Sequence, residues 1–253
     1  MRPISAPLLW WDRTALLVAV GGLVVLSWVL LIEMSENMMA MEGDMGIKPW
    51  ASSDFAMMLG MWAVMMVGMM VPTAIRSILI FSQISAKAAA GGHNYVAGYW
   101  FTLGYVFAWC GFAAAATLFQ WMLDQAALLS PMMVTTSSSL GALILITAGA
   151  WQFTPWKDTC LKHCQSPLMF LAANFSPGIS GAIQLGVRHG LYCLGCCWFI
   201  MGLLFVGGVM NFIWIIAITA FILVEKLLPS GQKWGQVAGG AMIAVGLSYL
   251  FLA

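Results

Sequence analysis

The chain of 253 residues is 62% hydrophobic and 8% charged, with a mean hydropathy of +0.93 and a formal charge of +1. Soluble domains carry about 25% charged residues, so this composition excludes an ordinary soluble enzyme and a disordered tail, and it offers no basic surface for nucleic acid. Sulfur is in excess, with 20 Met and 6 Cys.

A helix needs about 20 apolar residues to cross a bilayer core. Seven apolar runs approach that length, at 14–32, 55–81, 95–123, 138–153, 190–210, 212–224 and 234–252, with 181–189 a less apolar lead-in to the fifth. The runs do not alternate with a period of two, so helices rather than a transmembrane barrel are predicted. The expected fold is all-α, a polytopic transmembrane helix bundle of about seven spans forming a single domain over 1–253. The first run is followed by Glu33, Met34 and Ser35 rather than a small-residue cleavage site, which reads as a retained anchor. Lys and Arg collect on the cytoplasmic side of membrane proteins. With the N-terminus in the cytoplasm and the C-terminus outside, Arg2, Arg13, Arg76, Lys87, Lys157, Lys162, Arg188, Lys226 and Lys233 fall inside and only Lys48 falls outside.

The loop 33–54 then lies outside and carries Met34, Met38, Met39, Met41 and Met45 among acids and Gly. Thioether sulfur is a soft donor that selects Cu(I), and on an oxidising face it does not form disulfides as Cys would. The second run continues the bias. Met57, Met61, Met65 and Met69 recur at four-residue spacing, with Met58, Met66 and Met70 in a neighbouring row. Residues four apart lie above one another on a helix, so the pattern reads as a sulfur ladder through the membrane, similar to the Met-x-x-x-Met pair of high-affinity copper uptake transporters. Flexible packing is the competing reading of the same residues. Cys110, alone in the third run, reads as a small apolar residue, and His93, between Gly92 and Asn94, as solvated.

The inner loop 154–189 and the start of the fifth run hold the other sulfur. Cys160 and Cys164 share a face if the loop is helical, as do Cys193 and Cys197, while Cys193 and Cys196 form Cys-x-x-Cys. Reduced thiols at these spacings point to metal or redox chemistry rather than disulfides. Thiolate and imidazole suit Cu(I) or Zn(II), which makes Cys160, Cys164, Cys193, Cys196, Cys197, His163 and His189 the candidate inner ligands. Met38, Met39, Met41, Met45, Met57, Met61, Met65 and Met69 are the candidate thioether ligands. Lys157, Lys162 and Arg188 are the expected source of positive charge beside the thiols.

The string Trp151-Gln152-Phe153-Thr154-Pro155-x-Lys157, then Cys160-Leu161-x-x-Cys164-x-x-Pro167, resembles the signature of a bacterial family of predicted metal-binding integral membrane proteins, some of them described as copper chaperones. Gly190-x-x-Cys193-x-Gly195-Cys196-Cys197-Trp198, Gly207-Gly208-x-Met210-Asn211 and Glu225-Lys226 extend the likeness, as does the Met-rich second run ending in Pro72. The resemblance implies a multi-pass protein of the bacterial inner membrane that binds metal and is associated with copper; a copper-receiving membrane or periplasmic protein is a candidate partner, and the oligomeric state is left open. The pattern favours handling of Cu(I), by binding, delivery or transport, over catalysis. A thiol-redox membrane protein is the alternative, although no outer Cys is present to exchange electrons with. A subunit of a copper-dependent oxidase or monooxygenase is another, although such sites use several His and the chain has 3.

Overall fold

The apolar runs fold as helices in a computed structural model that describes residues 6–41, 50–130 and 133–252, with side chains over 13–36, 50–130 and 133–251. In chain order these are α1 (Ala6–Met41), α2 (Ser52–Ala90), α3 (Gly98–Gln125), α4 (Ser138–Trp151), α5 (Pro155–Gln165), α6 (Pro167–Ala173), α7 (Ile179–Gly202), α8 (Leu204–Gly207), α9 (Phe212–Leu227) and α10 (Gly231–Leu252). Among the described residues the sole β pairing is an isolated bridge between Leu129 and Thr135. The all-α expectation holds.

Among the described residues five helical stretches are long and apolar enough to cross a membrane: Arg13–Glu36, Ser52–Ala90, Gly98–Gln125, Ile179–Gly207 and Gly231–Phe251. The runs 138–153 and 212–224 form α4 and α9, of 14 and 16 residues, shorter than the roughly 20 needed for an upright span. Two boundaries differ from the sequence reading. Helix α1 continues to Met41, into the stretch expected to be loop, and α7 starts at Ile179, so the polar lead-in and Arg188 lie within one helix.

The bundle is held at its close approaches by glycine. Helices α3 and α7 run parallel, with Gly104 against Ile183 and Gly186 against Phe101, and a Cβ on Gly190 would stand 2.7 Å from that of Ala108. Helices α4 and α10 run antiparallel, where a Cβ on Gly149 would stand 2.6 Å from the Gly239 carbonyl oxygen. Small residues let helix backbones approach without a large hydrophobic side chain between them. The core runs along α2, whose Met61, Trp62, Met65, Met66, Met69 and Met70 are all fully buried. By contrast only 17% of the apolar window of α1, and of α10, is buried.

The bundle has two distinguishable ends. At one, Trp50 donates to the Asp124 carboxylate (2.8 Å). At the other, Lys157, Gln152 and Glu225 meet in a buried ion pair and hydrogen bond. Gly235 of α10 lies against this group because it has no side chain to displace it.

Candidate metal centre

Helix α5 forms because Thr154 caps it, accepting from the Lys157 N–H, and Pro155 occupies its first turn. That turn fixes which face meets α7. Cys164 touches the thiols of both Cys193 and Cys196, and those contacts raise its own pKa well above the ordinary thiol value. Cys193 and Cys196 each contact Cys197 in turn. Within α7 the Cys196 and Cys197 thiols donate to the Cys193 carbonyl, both at 3.0 Å. Four of the five expected thiols therefore meet, three of them buried on α7 and one supplied by α5.

Cys160 stands at the edge. It is half-buried, and burial pushes its thiol pKa up, with the neighbouring Cys196 adding to the shift. Its approach depends on Gly195, where a Cβ would stand 2.9 Å from the Cys160 Sγ. His189, one turn before Cys193, is 2% exposed, and its Nδ1 has no hydrogen-bond partner among the described residues. A buried ring nitrogen left unpaired carries a cost, and a soft cation among the thiols would supply a partner. His163 turns elsewhere: its ring stacks on Tyr192 with centroids 4.3 Å apart, and its Nδ1 bonds the Thr159 carbonyl (2.7 Å).

Two partners of the cluster were not found in the sequence. The Lys226 ammonium donates to the Cys193 Sγ at 2.8 Å and lies 3.8 Å from the Cys197 Sγ. The Tyr105 hydroxyl is 2.9 Å from the Cys193 Sγ and 3.0 Å from the Met70 carbonyl oxygen. Lys226 and Lys157, counted among the charges on the inner side, are 2% and 1% exposed. Glu225, the neighbour of Lys226 in sequence, is 0% exposed. The charge beside the thiols comes from Lys226 of α9 rather than from Lys157, Lys162 or Arg188. An ionisable pair closing an otherwise uncharged helix was the available signal, since buried charge in an apolar bundle is costly and marks function.

Among the described residues no group of three or more His, Cys, Asp and Glu side chains is arranged to hold a metal ion. The thiols contact one another, and the Lys226 ammonium lies beside Cys193 and Cys197. Soft sulfur donors and an unpaired imidazole are nonetheless ligand types that suit Cu(I).

The thioethers divide. Met61, Met65 and Met69 are fully buried, as are Met66 and Met70, whereas Met57 is 50% exposed and stands outside the row. Met58, at 8% exposure, takes its place at the start. Met38, Met39 and Met41 lie on the last turns of α1, with side chains outside the described residues; Met45 is outside them altogether. Cys110 is exposed on α3, away from the other thiols.

A family model described as PpoB2, copper chaperone, matches residues 59–249. The chain belongs to this copper chaperone family. No curated protein and no solved structure matches it. The region matched by the PpoB2 model contains the buried Met row from Met61 onward and all six Cys, while the Met-rich stretch 33–54 precedes it.

Proposed function

We propose that this protein is a multi-pass membrane protein of the bacterial inner membrane that takes Cu(I) at its Asp124 end and passes it along the thioethers of α2 to the thiol cluster. From there the ion is delivered to a copper-receiving protein. The Asp124 end faces outside and the Glu225 end the cytoplasm, an orientation supported by the distribution of Lys and Arg. Membrane insertion is supported by apolar side chains turned away from the bundle, such as Phe107, Ile213 and Phe251 at 71%, 80% and 85% exposure. Apolar surface of that extent is the signature of contact with lipid or another apolar partner.

One observation carries the reading. The Tyr105 hydroxyl bonds both the Met70 carbonyl and the Cys193 thiol, so the lower end of the thioether row and the thiol cluster adjoin. Met58 to Met70 covers about 18 Å at 1.5 Å per residue, more than half of a hydrocarbon core of about 30 Å. Movement along it is ligand exchange from sulfur to sulfur, with copper remaining Cu(I) throughout. At the cluster each thiol that binds the ion releases its proton, and the Lys226 ammonium gives up its place among the sulfurs to the incoming cation. His189 would add a nitrogen ligand. The outer Met38, Met39, Met41 and Met45 would raise the local concentration of the ion. Zn(II) also suits thiolate and imidazole, but the thioether row favours Cu(I).

The test is Cu(I) affinity of the purified full chain, measured by competition with a chelator. Cys164→Ser with Cys193→Ser should weaken the tightest site at least tenfold, while Cys110→Ser should leave it unchanged. Native affinity in the double variant would overturn the cluster as the site.

A further inference from the structure

We propose that Met58 and Met133, held by Gln120, form a second soft-metal site at the Asp124 end, where Cu(I) enters the thioether row. This rests on the copper reading above but uses none of the thiols. Gln120 of α3 is 1% exposed. Its Oε1 accepts from the Trp62 indole N–H at 2.7 Å. That bond fixes which way the amide points, so its Nε2 faces two sulfurs, the Met133 Sδ at 3.1 Å and the Met58 Sδ at 3.6 Å. Thioethers are weak acceptors, and a buried amide would ordinarily find a carbonyl or hydroxyl. Here it brings together two sulfurs from separate segments, both directed at one point, as a two-coordinate soft cation requires.

Met133 reaches that point from a backbone position that opposes it. Its φ is 56°, a left-handed conformation that is strained for a non-glycine residue and is ordinarily taken by Gly or Asn. The Met133 N–H bonds the Ser130 carbonyl and the Thr135 N–H bonds the Phe205 carbonyl, at 2.8 and 2.9 Å, so the backbone on either side is held. The Met133 side chain is buried, 9% exposed. Strain maintained at one buried side chain points to a use for that side chain.

The surroundings give the site a direction. Asp124 lies one turn beyond Gln120 on α3, and its carboxylate, oriented by Trp50, is the charge an arriving cation meets first. Met61 and Met65 follow Met58 on the same helical face, at i+3 and i+7, and both are fully buried. Cu(I) bound between Met58 and Met133 displaces the amide hydrogens from the sulfurs while Gln120 stays anchored through Trp62, and the next thioether inward is Met61.

The experiment is a titration of the full chain in detergent with Ag(I), a redox-inert ion of the same softness, observed through 13C-labelled methionine methyls. Met58→Leu and Met133→Leu assign the two resonances, and the unchanged remainder of the methyl spectrum shows that each variant is folded. The Met58 and Met133 methyls should shift together, and each single substitution should abolish the shift of the other. Ag(I) taken up by the thiols with both methyls unmoved would overturn this site and leave the thiol cluster standing. Shifts at Met58 and Met133 with no thiol uptake would uphold it and remove the cluster instead. No Ag(I) response at any sulfur would overturn both.

Discussion

The thiol cluster and the thioether row are both sulfur, but they are built in opposite ways. The cluster is assembled from four helices: Tyr105 on α3, Cys164 on α5, three Cys on α7 and Lys226 on α9, all joined by polar contacts. Between Met61 and Met70, the row is drawn from α2 alone, its side chains packed in the core. The first arrangement depends on many elements meeting at once, whereas the second asks only that one helix present flexible apolar side chains inward. Substitutions near the cluster should therefore disturb folding or binding directly, while those in the row should leave the fold intact and change only what passes along it.

The largest effect is expected at the buried pair beside the cluster. Lys157→Met strands the Glu225 carboxylate, and breaking a buried pair costs about 3–5 kcal/mol, which should appear as a sharply lower midpoint of thermal unfolding in detergent. Lys157→Met with Glu225→Leu should recover most of that loss; a double variant as unstable as the single would show that the pair is not what matters. Next is Gly195→Ala. The new Cβ meets the flexible Cys160 thiol, so unfolding should barely change while Cu(I) affinity falls roughly tenfold, the lower end of what supporting groups contribute to metal sites.

In the row, Met65→Leu with Met69→Leu conserves volume and should cost below about 1.5 kcal/mol per site, with copper affinity at the thiols unaltered. A large loss of stability would mean that the row is primarily core packing. The smallest effect concerns Cys160. Because burial raises its pKa, the neutral thiol persists to higher pH, and iodoacetamide should label it more slowly than a free cysteine near pH 8, gaining rate as pH climbs past the ordinary thiol range. Labelling at the free-cysteine rate would show that Cys160 is not held against α7.

How far the sequence foretold this depends on the range of each interaction. Cys160 with Cys164, and Cys193 with Cys197, were legible because helical spacing alone puts them on common faces, and the apolar runs announced the helices. Lys226 was not legible as a thiol partner, since its contact with Cys193 spans 33 positions along the chain. Lys157 was read as a charge beside the thiols, whereas its partner is the acid Glu225, 68 positions away. Spacing also could not choose the inward face of α2 at its start: the four-residue rule selects Met57, whereas packing turns Met58 inward and leaves Met57 half-exposed. Tyr105, the junction of the two regions, carries no motif at all.

The claim that row and cluster form one path is tested most directly by Cu(I) entry into liposomes containing the full chain, read by a copper-sensitive dye inside. Met65→Leu with Met69→Leu should reduce the entry rate at least tenfold while Cu(I) affinity at the thiols stays native. Entry at the native rate in that variant would contradict the account.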